Sequence, residues 1–124
     1  VVCLQNGVSN ERAALRHFAH VHAVTVMMPA SHLAPGRVVV HSLGAPGLLD
    51  VGTYPHGVDA VDEALSADLR SAGFESVPRV DAMAWKHRKL LMNLGNGGDA
   101  ACQETDGGHL LGLHELDGRA RAHT

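Results

Sequence analysis

The chain is organised around one helical stretch, Trp85 Lys86 His87 Arg88 Lys89 Leu90 Leu91 Met92 Asn93 Leu94 Gly95 Asn96. Its second half is nearly apolar all round, apart from two polar residues. Lys89 and Asn93 are an i,i+4 pair, so a helix places them one turn apart on the same face. A lysine among leucines must extend to solvent, find an acceptor, or be kept for chemistry that uses its proton. The spacing alone favours the solvated lysine and leaves the chemical role open.

Upstream of this helix, short apolar and β-branched runs alternate with turn residues. These runs predict strands over 1–4, 21–28, 37–42 and 48–54. Pro35 and Gly36 predict an antiparallel return, and the last three runs together predict a strand meander. With only 3% aromatic residues, a core of Val, Leu, Ala and Met suits a small α/β layer better than an all-β sandwich.

Two helices are predicted before the organising stretch. The first runs from Glu11 to about Phe18, with Ser9 or Asn10 as its cap, and buries Ala14, Leu15 and Phe18. The second begins at Val58 and ends before Gly73, and its expected buried face is Val58, Val61, Ala64, Leu65, Leu69 and Ala72. Because of Pro78, residues 75–80 are predicted to form an edge of the sheet or a linker. Asp81 is predicted to be the N-cap of the last helix. We therefore expect a domain boundary near residue 80, with 1–80 mixed α/β and 81–124 helical.

Composition and charge exclude several classes of function. The formal net charge is −3 and no basic stripe occurs, so neither nucleic acid nor an anionic membrane is an expected partner. No run of about 18 apolar residues could cross a bilayer. Two cysteines, Cys3 and Cys102, make a disulfide framework improbable and favour a reducing compartment, so we expect a cytoplasmic location. Because Val1 already lies in a strand pattern, we expect the chain to be a fragment of a longer protein.

Two further polar stretches are candidates for ligand contacts. Gln5, Asn6 and Gly7 directly follow the first strand, at the edge where parallel sheets place ligands, although an Asn-Gly turn explains them equally simply. Asn96 extends the polar stripe of Lys89, yet Gly97 and Gly98 after it are typical of a helix end. The residues alone favour the turn and the cap.

The ten histidines match no metal template. His17 and His20 share a helix face, but neither they nor His22, His109 and His114 have the cysteine or carboxylate spacing of zinc sites. We therefore expect no metal. No Gly-x-Ser-x-Gly and no Gly-x-Gly-x-x-Gly occurs in the chain either.

Taken together, the motifs of residues 1 to about 100 resemble the ketopantoate reductase (2-dehydropantoate 2-reductase) family. They are, in order, Leu4-Gln5-Asn6-Gly7-Val8, Met28-Pro29-Ala30, Pro35-Gly36, Leu49-Asp50-Val51-Gly52, Ala72-Gly73-Phe74, Trp85, and Lys89-Leu90-Leu91-Met92-Asn93. The resemblance implies an α/β fold: the C-terminal part of a Rossmann-like domain with a strand meander, followed by the first helix of an all-helical domain. The tail after about residue 97 has no clean period and is a candidate for disorder.

The resemblance also implies an activity. The family reduces 2-dehydropantoate, a 2-oxo acid, to pantoate with NADPH, a step towards coenzyme A. Lys89 matches the lysine that polarises and protonates the carbonyl oxygen, Asn93 matches a catalytic and substrate-binding asparagine, and Asn6 matches an asparagine near the cofactor. Asn96 is retained as a further substrate contact. NADP is thus the expected cofactor, and the oligomeric state is left open.

The chain also departs from the family pattern. The glycine-rich phosphate loop and the later segment with a substrate-binding serine and an active-site glutamate are missing, and Gly97 stands where the family often has another asparagine. Glu115 comes too early to take the glutamate's role. The fragment is therefore expected to be inactive by itself, and a noncatalytic remnant or interaction module from a truncated frame is the alternative hypothesis.

Overall fold

The computed structural model describes the backbone of residues 1–103 and the side chains of residues 1–95. In chain order the elements are β1 (Val2–Leu4), α1 (Asn10–Ala14), β2 (His22–Met27), β3 (Ala30–Ala34), β4 (Arg37–Val40), β5 (Leu48–Thr53), α2 (Ala60–Ser71) and α3 (Ala82–Gln103). Contacts divide the chain after Met92, and Val1–Met92 forms one compact unit. The predicted domain boundary near residue 80 stays a prediction. Among the described residues, no helix is both long enough and apolar enough to span a membrane.

The main sheet has the strand order β1-β2-β5. β1 runs parallel to β2, and β2 pairs antiparallel with β5 from His22 beside Thr53 to Met27 beside Leu48. The segment after α2 lies along the other edge of β5, with parallel bridges from Leu48 to Glu75 and from Val51 to Pro78. Of the two predicted alternatives for the Pro78 segment, an edge or a linker, the structure shows the edge.

The predicted meander is wrong. β3 and β4 form a separate two-stranded antiparallel ribbon, in which Ala30 pairs with Val40 and Ala34 with Arg37. The Pro35-Gly36 turn is an antiparallel return as predicted, but it joins β4 to the unpredicted β3. The reason is burial: β2 and β5 carry the buried positions of the sheet, whereas no residue of the ribbon is buried. β5 therefore takes the place beside β2.

The core lies between this sheet and α2. Val24, Leu49 and Val51 are buried, and the partly buried side chains packed against them are Val26, Leu65, Leu69 and Phe74. Gly73, with φ of 93°, follows the last turn of α2 as predicted, because this left-handed conformation suits glycine.

The buried faces of both early helices differ from their predictions. On α2, Val61 is 51% exposed, whereas the polar Asp62 and Ser66 are completely buried. On α1, which already ends at Ala14, Leu15 and Phe18 are exposed and Glu11 is buried. In both helices the buried face differs from the predicted one because the buried polar side chains have partners. Asp62 accepts hydrogen bonds from β-strand residues, and Glu11 pairs with a lysine.

α3 also differs from its prediction. It begins after Asp81, whose carbonyl accepts the N–H of Trp85 at 3.2 Å, but it continues past Asn96 to Gln103. The predicted helix end at Asn96 is wrong, because a glycine costs a helix only about 1 kcal/mol and alanines follow at 100 and 101. Leu91 and Leu94, in the apolar half of this helix, are exposed. Part of the tail predicted to be disordered, residues 104–124, lies outside the described residues.

Candidate functional site

The ammonium group of Lys89 lies at the carboxyl ends of strands β1 and β2. Its Nζ donates a hydrogen bond to Asn6 Oδ1 at 2.6 Å and another to the carbonyl oxygen of Val26. Asn6 follows β1, and Val26 lies near the end of β2. Because these two strands are parallel, their carboxyl ends meet at one edge, which is where α/β sheets bind ligands. The structure thus brings together two of the residues that the sequence singled out.

Lys89 is half-buried, and its environment disfavours its charge. Burial, and secondarily the ammonium group of Lys86, hold the pKa of Lys89 below the ordinary lysine value. A lysine with a lowered pKa gives up its proton more readily. The group is therefore suited to donate a proton or a strong hydrogen bond to an oxygen that gains negative charge.

A buried ion pair lies beside this lysine, and sequence reasoning missed it. Lys86 Nζ bonds to Oε1 of Glu11, with Lys86 5% exposed and Glu11 completely buried. Glu11 Oε2 is also buried and has no hydrogen-bond partner within the described part of the chain. The available signal was the i,i+3 spacing of the two lysines, which puts both on one face of α3. Glu11 was instead predicted only as the first residue of α1.

The same pair affects the thiol of Cys3 on β1. Burial, followed by the nearby Glu11 carboxylate, raises the pKa of Cys3, although Lys86 and the N-terminal amine act in the opposite direction. A thiol with a raised pKa forms little thiolate at neutral pH. Cys3, which is buried on β1, is therefore poorly suited to act as a nucleophile.

A second polar cluster joins the sheet to α2. His22 Nδ1 lies 2.8 Å from Oδ1 of Asp62, whose Oδ2 accepts from Thr53 Oγ1 at 2.6 Å and from the N–H of Asp59 at 2.9 Å. Asp59 caps α2 by accepting from the N–H groups of Val61 and Asp62, and these bonds lower the pKa of Asp59. The spacing Asp59-x-x-Asp62, typical of a capping box, was a signal in the sequence that went unused.

Donor atoms of His22, Asp59 and Asp62 all lie within 4.8 Å of one another, which is close enough to consider a metal ion. Both oxygens of Asp62 already accept hydrogen bonds, so a metal would have to displace a satisfied network. We assign the cluster to the attachment of α2. His17 and His20, the other histidines considered for a metal, are exposed, while His109 and His114 lie outside the described residues.

The remaining sequence candidates are placed as follows. Asn93 lies on α3 one turn after Lys89 and is exposed, but it falls beyond the compact unit that ends at Met92. The side chain of Asn96 and the whole of Glu115 lie outside the described residues. Of the predicted site residues, the structure therefore joins Lys89 with Asn6, while the roles of Asn93 and Asn96 stay predictions.

Comparison with known proteins supports the fold. No family model matches the chain. Among solved structures, the chain is similar to 2-dehydropantoate 2-reductase from Methylococcus capsulatus, with 24% identity and a TM-score of 0.67. The match covers 74% of this chain and 31% of that chain. The protein therefore has the fold of one section of a 2-dehydropantoate 2-reductase and spans about a third of the length of that enzyme.

Proposed function

We propose that this chain is a section of an NADPH-dependent oxidoreductase that reduces the ketone of a 2-oxo acid, with 2-dehydropantoate as the leading substrate. The observation that carries the proposal is the 2.6 Å hydrogen bond from Lys89 Nζ to Asn6 Oδ1 at the carboxyl ends of β1 and β2. A half-buried ammonium group at a ligand-binding edge is suited to a carbonyl substrate. The fold shared with a 2-dehydropantoate 2-reductase supports the same reaction class.

The proposed reduction requires a proton donor beside the carbonyl oxygen. Reduction adds a hydride to the carbonyl carbon, and the carbonyl oxygen becomes an alkoxide that must receive a proton. When bound, the nicotinamide supplies the hydride. Lys89 donates the proton to the oxygen, which gives a 2-hydroxy acid, and then recovers a proton from solvent. Its lowered pKa favours this transfer, and the Asn6 amide and the Val26 carbonyl orient the amine.

The residues present fit only one end of the cofactor. Gln5, Asn6 and Gly7 are exposed after β1. A Cβ added at Gly7 would meet no atom of the described residues within 4 Å, so a flat ring has room to approach the backbone. The chain has no glycine-rich loop for the pyrophosphate. We propose Asn6 as the contact near the nicotinamide, and Asn93 and Asn96 as contacts of the 2-oxo acid. A cytoplasmic location and a place in coenzyme A synthesis belong to the same proposal.

The test is 2-dehydropantoate-dependent NADPH oxidation by the natural protein that contains this chain. Replacing Lys89 by Met keeps the length of the side chain and removes the charge, and should lower kcat by roughly 10²- to 10³-fold. Arg88→Met is the matched control, because Arg88 is an exposed cation on the same helix turn and should retain activity. Full activity of Lys89→Met would remove Lys89 from the reaction. Failure of the unmodified protein to oxidise NADPH with any 2-oxo acid would refute the reductase.

The alternative, a noncatalytic interaction module, is favoured by the apolar surface of the β3–β4 ribbon and its flanking loop. Leu33 is 95% exposed and Leu43 fully so, and Val38 on β4 is exposed as well. Exposed apolar groups in this number are typical of a surface that contacts a partner. NADPH titration calorimetry of the natural protein discriminates between the two hypotheses, because an interaction module has no reason to bind the nucleotide.

A further inference from the structure

We propose that Lys86 and Glu11 are positioning residues that hold the amine of Lys89 against Asn6 by fastening α3 to the connection between β1 and α1. The proposal rests on the proposed function and adds residues that act through Lys89. Neither Lys86 nor Glu11 would touch the substrate.

The geometry of the two lysines and their partners supports this role. Lys86 and Lys89 lie one turn apart on the same face of α3. Their partners, Glu11 and Asn6, belong to the same short segment, the loop after β1 and the first turn of α1. Two bonds therefore join one helix face to one segment. A rotation of α3 large enough to move Lys89 away from Asn6 would therefore also strain the bond between Lys86 and Glu11.

Burial argues that the pair serves geometry more than stability. Both charges are removed from water, and Glu11 Oε2 has no hydrogen-bond partner among the described residues. Desolvation of two charges offsets most of their attraction, and well-packed apolar side chains at such positions are often equally stable. An apolar pair restricts the rotation of the helix less than a hydrogen-bonded ion pair does, because its contacts are not directional.

The pair also sets the electrostatic environment of Lys89. The groups facing its amine are the ammonium of Lys86 on the same helix, the amide of Asn6 after β1 and the carbonyl of Val26 on β2. The carboxylate of Glu11 is bonded to Lys86 and partly balances its charge. Loss of the Lys86 charge should therefore make Lys89 a weaker acid. Loss of the Glu11 charge alone should make it a stronger one.

The test uses the fact that the chain contains only two lysines, Lys86 and Lys89. With ¹³C-labelled lysine, the side-chain Cε resonances report each titration separately, and the Lys86→Met variant leaves Lys89 alone in the spectrum. The key variant is the double substitution Lys86→Met with Glu11→Leu, which replaces the pair by apolar side chains of similar size. Arg88→Met is the control, since it removes an exposed cation from the same helix.

In the folded double variant we expect the Lys89 titration to move towards the ordinary lysine value and the side-chain amide resonances of Asn6 to shift. Glu11→Gln should move the Lys89 titration in the opposite direction, and Arg88→Met should leave it where it was. If the double variant folds with the Lys89 titration and the Asn6 resonances of the original chain, the positioning role is refuted. If the double variant does not fold, the single variants Glu11→Gln and Lys86→Arg test the proposal instead. The proposal then requires a shifted Lys89 titration in Glu11→Gln and an unshifted Lys89 titration in Lys86→Arg.

Activity is a separate readout. In the natural protein that contains this chain, the double variant should lose at least tenfold in kcat with little change in KM for NADPH, and Lys86→Arg should recover part of the loss. Absence of reductase activity in every variant would end the proposed function. The positioning role would then be tested by the Lys89 titration alone, because that measurement needs no substrate.

Discussion

Lys89 Nζ and Asn6 Oδ1 lie 2.6 Å apart although the two residues are separated by 83 positions in the chain. Neither helix periodicity nor turn propensity relates them. They meet because β1 and β2 are parallel and α3 begins beside the sheet, with Ala82 buried and its carbonyl oxygen accepting a 3.4 Å hydrogen bond from Thr25 of β2. The pair is thus a product of the packing of three elements.

Replacing Asn6 by Asp should raise the pKa of Lys89. The substitution places a carboxylate within hydrogen-bond distance of the ammonium group, and an opposite charge at that distance favours the charged form of lysine. Asn6→Leu, which removes the acceptor without adding a charge, should lower the same pKa. The Cε titration of Lys89 by NMR measures both. Equal titrations in the two variants would show that Asn6 does not contact the amine in solution.

Lys89 should make the free energy of unfolding increase with pH in the alkaline range. Its folded-state pKa lies below the ordinary lysine value, so the folded chain releases this proton at a lower pH than the unfolded chain. Between those two pKa values the unfolded state binds more protons, and stability therefore rises with pH. Below the folded-state pKa the unfavourable contribution is constant. Urea unfolding at several pH values should show this rise in the original chain and a smaller one in Lys89→Met.

Asp62→Ala should destabilise the chain by about 3 kcal/mol, because it leaves His22 and Thr53 without their shared acceptor in a buried site and removes half of the capping box. Glu63→Ala is the control, since Glu63 is the exposed neighbour on the same turn and should change stability by less than about 0.5 kcal/mol. Urea unfolding monitored by circular dichroism measures both. A similar loss in the two variants would contradict the assignment of the cluster to the attachment of α2.

Gly52→Ala should also destabilise the chain, by about 2 kcal/mol. A Cβ at Gly52 would lie 2.2 Å from the carbonyl oxygen of Arg79 and 2.7 Å from Cβ of Ala82, so the edge segment and the start of α3 would have to move away from β5. Gly95→Ala is the matched control. Among the side chains that the structure describes, a Cβ there meets nothing within 4 Å, and the helix should gain roughly 0.5–1 kcal/mol. Thermal unfolding of both variants should give shifts of opposite sign.

Local patterns predicted much of the secondary structure. The β-branched runs identified β1, β2, β4 and β5, and the 3.6-residue period identified α2 with its terminal Gly73. The same patterns failed where a partner distant in sequence decided the outcome. Val61 looked buried because it is apolar, yet α2 turns Asp62 inward, where His22 and Thr53 provide hydrogen bonds that no local rule anticipates.

The residues of the candidate site were likewise predicted only in part. The helix from Trp85 to Asn96 indicated Lys89 as a chemical residue, and the Gln5-Asn6-Gly7 turn indicated the edge of the sheet. Lys86 and Glu11 went unnoticed, because a charged residue is presumed to be solvated until its surroundings are known. Their burial is a property of how α1 and α3 pack beside β1.

The sequence by itself determined most of the segments that form strands and helices, with β3 as the exception, and that Lys89 stands on a helix face, because these depend on contacts within a few residues. Only the tertiary structure decided that β5 and not β4 lies beside β2, that Glu11 and Lys86 form the buried pair, and that Asn6 accepts from Lys89. Those outcomes depend on the free energy of burying particular polar groups against particular partners. The partners are present only when residues distant in sequence come together.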